Sequence, residues 1–469
     1  MMNHWDLLYG VGVAVSSPFW LAKPSARRKV LGAFSRRMGR MATRQGSGPA
    51  VMIHAVSLGE INATRSLIDR LRQERPGLQF VVSVTTDSGF VRGRELYGDT
   101  ADVSLVRYPL DFSSAIDRLL DAMRPSVVVL LELEVWPNFM RQCARRKIPV
   151  LLINGRITPA SFRRYRLARP LMRTMFSQID RACVQDATYA QRFEQLGVAN
   201  DRISVTGTMK FDTAPVGEHL AGQEELAAGV GLSGGGRIWV CGSTGPGEEM
   251  LILPIYRRLL QRWPDLRLVI VPRKPERFDE VADLIGAQGF ALVRRSQTLT
   301  PTLSGSTAFG SEAQARRELT EVRSTGRGGV EGAPAIILGD TIGELRKFYA
   351  MADVVFVGRS LVDLGDRQHG SDMIEPAALG KATIVGPFTA NFADAMQQFL
   401  AADAMVVVPD AAALEQSVAK MLEHPANAAA LGQRACQVVR QQQGATERHV
   451  RIILDTLDSV PTMGPESAS

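Results

Sequence analysis

Cysteine is sparse and scattered in this sequence. Cys143, Cys183, Cys241 and Cys436 lie far apart and form no CxxC pair. That pattern argues against a disulfide framework or a zinc site and fits a reducing compartment. The six histidines show no HxxxH spacing, and no DxD stretch occurs to hold a metal–diphosphate pair. No metal site and no cofactor is therefore expected. What is present is a chain of 469 residues, long enough for two ordinary domains with full cores. It is 45% hydrophobic and 22% charged, as a globular protein is. The net charge of +7 suits acidic partners: phosphates, anionic lipid or nucleic acid.

One stretch near the start raises the question of a membrane. Residues 7–22, LLYGVGVAVSSPFWLA, are apolar except for Ser16 and Ser17. Sixteen helical residues reach about 24 Å, a little under the roughly 30 Å hydrocarbon core. Lys23, Arg27, Arg28, Lys29, Arg36, Arg37, Arg40 and Arg44 follow with no acidic residue among them. A signal peptide carries its charges before the apolar run, not after it. Positive charge on the C-terminal side holds that side in the cytoplasm and attracts anionic lipid. The expectation is an uncleaved anchor helix followed by a basic juxtamembrane segment, together residues 1–46, with the body of the chain on the cytoplasmic side of the inner membrane.

From residue 47 onward strands alternate with helices, the signature of a parallel, doubly wound α/β sheet. Apolar runs predict strands at residues 51–56, 78–86, 149–154 and in SVVVLLELEVWPN from residue 126 up to Glu132, and a short one at 203–207. A polar stretch at 213–236, with Gly234, Gly235 and Gly236, reads as a linker. The scheme repeats in a second domain over residues 237–458, with strands at RIWVCGS, LRLVIV, AIILGD and VVFVG. Residues 296–334 are rich in Ser, Thr, Gly and Arg without apolar periodicity, and predict a disordered insertion. A C-terminal helix packing back on the first domain (47–212) and a tail over 459–469 complete the expected organisation.

Candidate chemistry lies at strand ends. The run from Val51 breaks at Ser57-Leu58-Gly59 and enters a helix, which places Glu60 at the C-terminal edge of the sheet. A carboxylate there suits a general base, and it equally suits a first-turn residue placed by the helix dipole. In the run LELEVWPN, Glu132 and Glu134 point to opposite faces if strand geometry persists, so only one need reach a cleft. Lys210 follows a strand near the domain junction. In the second half, Arg273 suits a phosphate, the amides of Ile342, Gly343 and Glu344 suit another at a helix start, and Glu375 suits a ribose diol. Four such stretches in strand order suggest a nucleotide site. The basic residues 156–173 have only Phe162 and Tyr165 interleaved, which favours an anionic head group over nucleic acid.

The stretches HAVSLGE, LELEVWPN, INGRITPASFRRY, VTGTMKFD, GSTGPGEE, VPRKPERF, GDTIGELRKFY and IEPAALGKATIVGPFTANF occur in this order. In order and spacing they resemble the bacterial 3-deoxy-D-manno-octulosonic acid (Kdo) transferases of lipopolysaccharide synthesis, from the N-terminal segment to about residue 450. The resemblance implies a GT-B fold: two facing Rossmann-like domains, acceptor on the first and CMP-sugar on the second. It implies inverting transfer of Kdo from CMP-Kdo to a lipid A precursor (lipid IVA), without a metal. Glu60 is then the base, and Glu132 and Lys210 stabilise the transition state. The CMP contacts fall on Pro272, Arg273, Ile342, Gly343, Glu344 and the stretch Asp372, Met373, Ile374, Glu375. Two positions depart from the family pattern: Arg359 stands where glycine is usual, and Asp372 where Asn is usual, after a lengthened loop. The simplest expectation is that Arg359 and Asp372 pair as one coupled change. The alternative function is a GT-B protein that binds a nucleotide or lipid head group without catalysis. A sugar-nucleotide epimerase shares the architecture but leaves the apolar N-terminus and ELEVWPN unexplained.

Overall fold

The computed structural model describes residues 3–21, 34–46, 48–217, 219–298, 333–365 and 369–460. The expected insertion, apart from its ends, most of the tail, and much of the basic run after the N-terminal helix lie outside the described residues. The chain divides into two compact units: Met1–Thr213 together with Gln442–Ser469, and Ala214–Gln441.

Unit 1 is built on seven parallel strands: β1 (Ala50–Ala55), β2 (Gln79–Val84), β3 (Val103–Arg107), β4 (Val127–Leu131), β5 (Val150–Gly155), β6 (Arg181–Val184) and β7 (Ile203–Val205). Their spatial order is β3-β2-β1-β4-β5-β6-β7. The central strands are apolar on both faces because both faces are covered. Met52, Val128, Leu130 and Leu152 enter one core layer. Val51, Ile53, Val127, Val129 and Leu151 enter the other. Each fully buried side chain of this kind stabilises the fold by about 1.5–3 kcal/mol. The register Val51↔Val127 sets β1 and β4 side by side, so that their C-terminal ends lie together. The order reverses between these two strands, which opens a crevice at their ends.

Unit 2 repeats the plan with β8 (Ile238–Thr244), β9 (Arg267–Pro272), β10 (Leu292–Arg294), β11 (Ile336–Leu338), β12 (Val354–Val357), β13 (Ala382–Val385) and β14 (Val406–Val407). The order is β10-β11-β9-β8-β12-β13-β14, with the reversal between β8 and β12. The stretch read as a linker folds into this unit. It carries the helix Gln223–Val230, whose Leu226 and Val230 are buried.

The C-terminal helix Ala445–Ser459 belongs to unit 1, where it adds Val450, Ile453 and Leu457 to the core. Its start is held by Asp212, which accepts from the N–H groups of Gly444 (2.7 Å) and Thr446 (2.6 Å). Near its end, Arg75 donates twice to Asp458, at 2.7 and 2.9 Å.

The expectation of a spanning anchor is not supported. Among the described residues no helix is long and apolar enough to cross a membrane. The helix His4–Leu21 begins inside unit 1 instead: Asp6 is buried and accepts from the N–H (2.7 Å) and hydroxyl (2.6 Å) of Ser113. An acid paired in this way ties the first turn to the protein body. Leu7, Leu8, Val11 and Val15 remain exposed along one side of the helix.

Candidate active site

In unit 1 the site grows from the ends of β1 and β4. Ser57 caps the helix Leu58–Glu74, and Glu60 is its third residue. The Glu60 N–H donates to Ser57 Oγ at 3.2 Å. The Glu60 carboxylate in turn accepts from Val56 N–H at 2.9 Å and Ser57 N–H at 3.2 Å. This reciprocal cap fixes the carboxylate at the strand end. Each of its oxygens takes one N–H and keeps a further lone pair for an incoming hydroxyl. Burial pushes the Glu60 carboxyl above its ordinary range, and the Glu132 charge adds to the rise.

Strand geometry does not persist past Leu131. Glu132 has φ 58°, in the left-handed region that costs a side-chain-bearing residue about 1 kcal/mol or more. The reversal of the chain brings Glu132 and Glu134 to the same place, in contrast to the opposite faces that an extended strand implies. Glu134 is pushed up to about 7 by burial, with further contributions from Glu60 and Glu132. Its carboxylate accepts from Trp136 Nε1 at 3.1 Å. Arg156 Nε donates to Glu132 at 2.9 Å. Three carboxylates thus share one crevice with one guanidinium among them.

Lys210 lies in a short 3-10 turn, Met209–Thr213, packed against the helix that carries Glu60. The turn is held at both ends. The Met209 N–H donates to Asn154 Oδ1 at 3.2 Å, and Asp212 caps the C-terminal helix. Asn154, at φ 53°, is the next-to-last residue of β5 and also accepts from Gln185 Nε2 at 3.1 Å. His54, in HAVSLGE, is a core residue and no base. It is fully buried, stacked on Tyr108 with ring centres 4.2 Å apart, and burial pushes it down to about 4.

In unit 2 the equivalent crevice is organised by Glu248, the first residue of the helix Glu248–Leu260. Its fully buried carboxylate accepts four backbone N–H groups: Gly245 (2.8 Å), Arg359 (2.7 Å), Ser360 (2.9 Å) and Leu361 (3.0 Å). This binds the loop after β12 to the loop after β8. The approach is close enough that a Cβ on Gly358 would meet Thr244 Cα at 2.5 Å, so only glycine fits there.

Pro272 ends β9, and Arg273 follows it exposed, its N–H donating to Thr244 O at 3.0 Å. Asp372, Glu375, Arg346 and Arg273 form one charged group, and Glu375 is pushed up to about 7, first by burial and then by Asp372. Met373 and Ile374 bury their side chains completely, which leaves only their backbone for a ligand. Ile342 is exposed, and Gly343 turns at φ 90°. The Glu344 carboxylate is held by Arg295 at 2.9 and 3.0 Å, so it locks this turn. The helix begins at Leu345, later than the sequence suggests.

The expected pairing of Arg359 with Asp372 does not occur. Asp372 Oδ1 accepts from the Ile374 N–H at 2.9 Å, while the charges that act on Arg359 are Arg273 and Glu248. Arg359 itself stands at φ 57°, which accounts for glycine being the usual residue there. Sequence reasoning missed Asn154, Arg346 and the Glu248 hub, and assigned Arg156 to a head-group patch rather than to Glu132.

Two open parallel α/β sheets, each with its charged groups at the switch point, give an architecture that resembles the GT-B glycosyltransferases. A glycosyltransferase from Rickettsia africae aligns over 88% of this chain and 100% of its own, with TM-score 0.51 at 11% identity. A UDP-GlcNAc 2-epimerase from Neisseria meningitidis aligns over 87% and 100%, with TM-score 0.51 at 12% identity. Likenesses at that identity speak for the fold alone. Sequence separates the alternatives. The family model of 3-deoxy-D-manno-octulosonic-acid transferase (kdotransferase) matches residues 32–213. The chain is 32% identical over 412 residues to 3-deoxy-D-manno-octulosonic acid transferase of Haemophilus influenzae, covering 87% of each chain. It is 30% identical over 431 residues to the Bordetella pertussis enzyme of the same name, covering 90% of this chain and 91% of that one. The chain belongs to the Kdo transferase family.

Proposed function

We propose that this chain transfers Kdo from CMP-Kdo to a sugar hydroxyl of a lipid A precursor, with inversion at the anomeric carbon. The observation that carries the proposal is the Glu60 carboxylate, raised in pKa and fixed at the unit 1 switch point beside Glu132 and Glu134. In this reading the Glu60 carboxylate removes the acceptor hydroxyl proton as the oxygen attacks the anomeric carbon of Kdo. The bond from that carbon to the CMP phosphate oxygen breaks, and CMP departs with the electron pair. General-base help of this kind is worth about 10²–10⁴-fold. Glu132, with its Arg156 partner, and Lys210 steady the charge that develops during transfer. In unit 2, Arg273 receives the phosphate and Glu375 the ribose hydroxyls, which a carboxylate with two free oxygens suits.

The same reading puts the protein at the cytoplasmic face of the inner membrane. Its support is the exposed row Leu7, Leu8, Val11 and Val15 and the run of basic residues that follows it. Attachment is then to the anionic surface, by partial insertion and charge rather than by a span.

The test is direct. Purified protein is incubated with CMP-Kdo and tetraacyl lipid A precursor, and the lipid is read by mass spectrometry. A product heavier by one or more Kdo residues supports the proposal. Binding of CMP without any transfer is the result expected of a non-catalytic GT-B protein, and would replace it.

A further inference from the structure

Strand β8 has β9 hydrogen-bonded on one side and β12 on the other, so the residues after β9 and β12 flank the crevice at its end. Arg273 is the first residue after β9, and its N–H is held by Thr244. Arg359 is the second residue after β12. Its N–H donates to Glu248 at 2.7 Å, and its carbonyl accepts from the Gly370 N–H at 2.6 Å. With its backbone held on both sides, the Arg359 side chain runs over the loop after β8: a Cβ on Gly245 would lie 2.9 Å from Arg359 Cγ. Residues 273 and 359 therefore flank the end of β8 on opposite sides, and their guanidinium charges are near enough to act on each other.

Folding alone gives no reason for this arrangement. Arg359 is held at φ 57°, a conformation that strains an L side chain and that glycine adopts freely. Its side chain is partly buried; Glu248 acts on it from a distance, as Glu375 acts on Arg273, but neither guanidinium makes an ion pair among the described residues. Burial and the neighbouring Arg273 charge both hold the Arg359 guanidinium below its usual pKa. A strained backbone and two like charges in one crevice become favourable together when an anionic ligand lies between them.

We propose that Arg359 is a second oxyanion-binding guanidinium of the donor site, acting with Arg273 on a nucleotide-sugar that carries more than one acidic group. This rests on the reading of unit 2 as the CMP-Kdo site. That donor bears two oxyanions, the phosphodiester and the sugar carboxylate, and the guanidinium fork fits either in bidentate fashion. Arg359 sets specificity: it favours an acidic sugar nucleotide over a neutral one.

The experiment measures KM for CMP-Kdo and the inhibition constants of CMP and cytidine, for wild type and for Arg359→Gly, Arg359→Asn and Arg359→Lys. Gly and Asn both tolerate the left-handed conformation, so their thermal midpoints should stay within a few degrees of wild type. KM should rise about tenfold or more in both, and less in Arg359→Lys, with the effect shrinking at high salt. If the CMP inhibition constant rises in parallel, Arg359 holds the phosphate. If only KM rises, it holds the sugar carboxylate. Unchanged KM and CMP inhibition in Arg359→Gly and Arg359→Asn would overturn the proposal, as would a rise confined to variants whose thermal midpoint collapses. Wild-type protein that CMP inhibits no better than cytidine would instead overturn the donor reading itself.

Discussion

Arg156 Nε donates to the Glu132 carboxylate at 2.9 Å, although the two residues come from different strand ends and Glu132 sits in the left-handed region at φ 58°. The pair places one positive charge in a crevice that otherwise holds the carboxylates of Glu60, Glu132 and Glu134. It supplies the charge balance that lets three acids share a site.

Replacing Arg156 with alanine should therefore disturb the pH profile more than the fold. Without the guanidinium, Glu60 and Glu134 lie beside an unpaired Glu132, and their carboxyl groups hold protons to higher pH. A base must be deprotonated to act, so the acid limb of kcat/KM moves to higher pH, by roughly one unit. A pH–rate series over the range 5 to 9 checks this; a limb that does not move would detach Arg156 from the chemistry.

The proposed ribose site should titrate near neutrality. Glu375 is pushed up to about 7 by burial and by Asp372, and in the proposed role it would accept two hydroxyls only as the carboxylate. CMP affinity should accordingly fall as pH drops from 8 to 6, and CMP binding should release protons by drawing the carboxyl pKa down. Calorimetry in buffers of different ionisation enthalpy reads both effects. In Glu375→Gln the affinity should be low and flat across this range.

Glu248 shows where the sequence is legible and where it is not. The strands β1, β4, β8 and β9 are legible because strands covered on both faces must be apolar throughout. The short strands β3, β6, β10, β13 and β14 are not, since two to five residues carry no period. Glu60 and Arg273 announce themselves by lying in the turns that close apolar runs. Glu248 lies inside a helix start, and nothing local says that its carboxylate gathers N–H groups from residues 359–361, more than a hundred positions away. The αL conformations of Glu132 and Arg359 are hidden for the same reason: neighbouring strand ends impose them against local preference. Asp6 is hidden too, because an acid just before an apolar run reads as a flank until Ser113 is found beside it.

The Glu248 hub gives its own prediction. Glu248→Gln turns one acceptor oxygen into a donor facing N–H groups that already donate. Stability of unit 2 should drop by about 2–4 kcal/mol, and CMP affinity should fall with it, because the loop after β12 is no longer held. Urea titration followed by circular dichroism, with and without CMP, measures both. A variant as stable as wild type would mean that the four contacts contribute little.

The central claim is that Glu60 is the base of a transfer reaction, and Glu60→Gln tests it most directly. Glutamine at this helix position keeps one of the two backbone N–H contacts, and Ser57 still caps the helix, so most of the cap survives while basicity is lost. Single-turnover transfer from CMP-Kdo to the tetraacyl lipid A precursor should slow by about 10²–10⁴-fold, with the CMP inhibition constant and thermal midpoint close to wild type. A near-normal transfer rate in Glu60→Gln would contradict the account and move the base to Glu134.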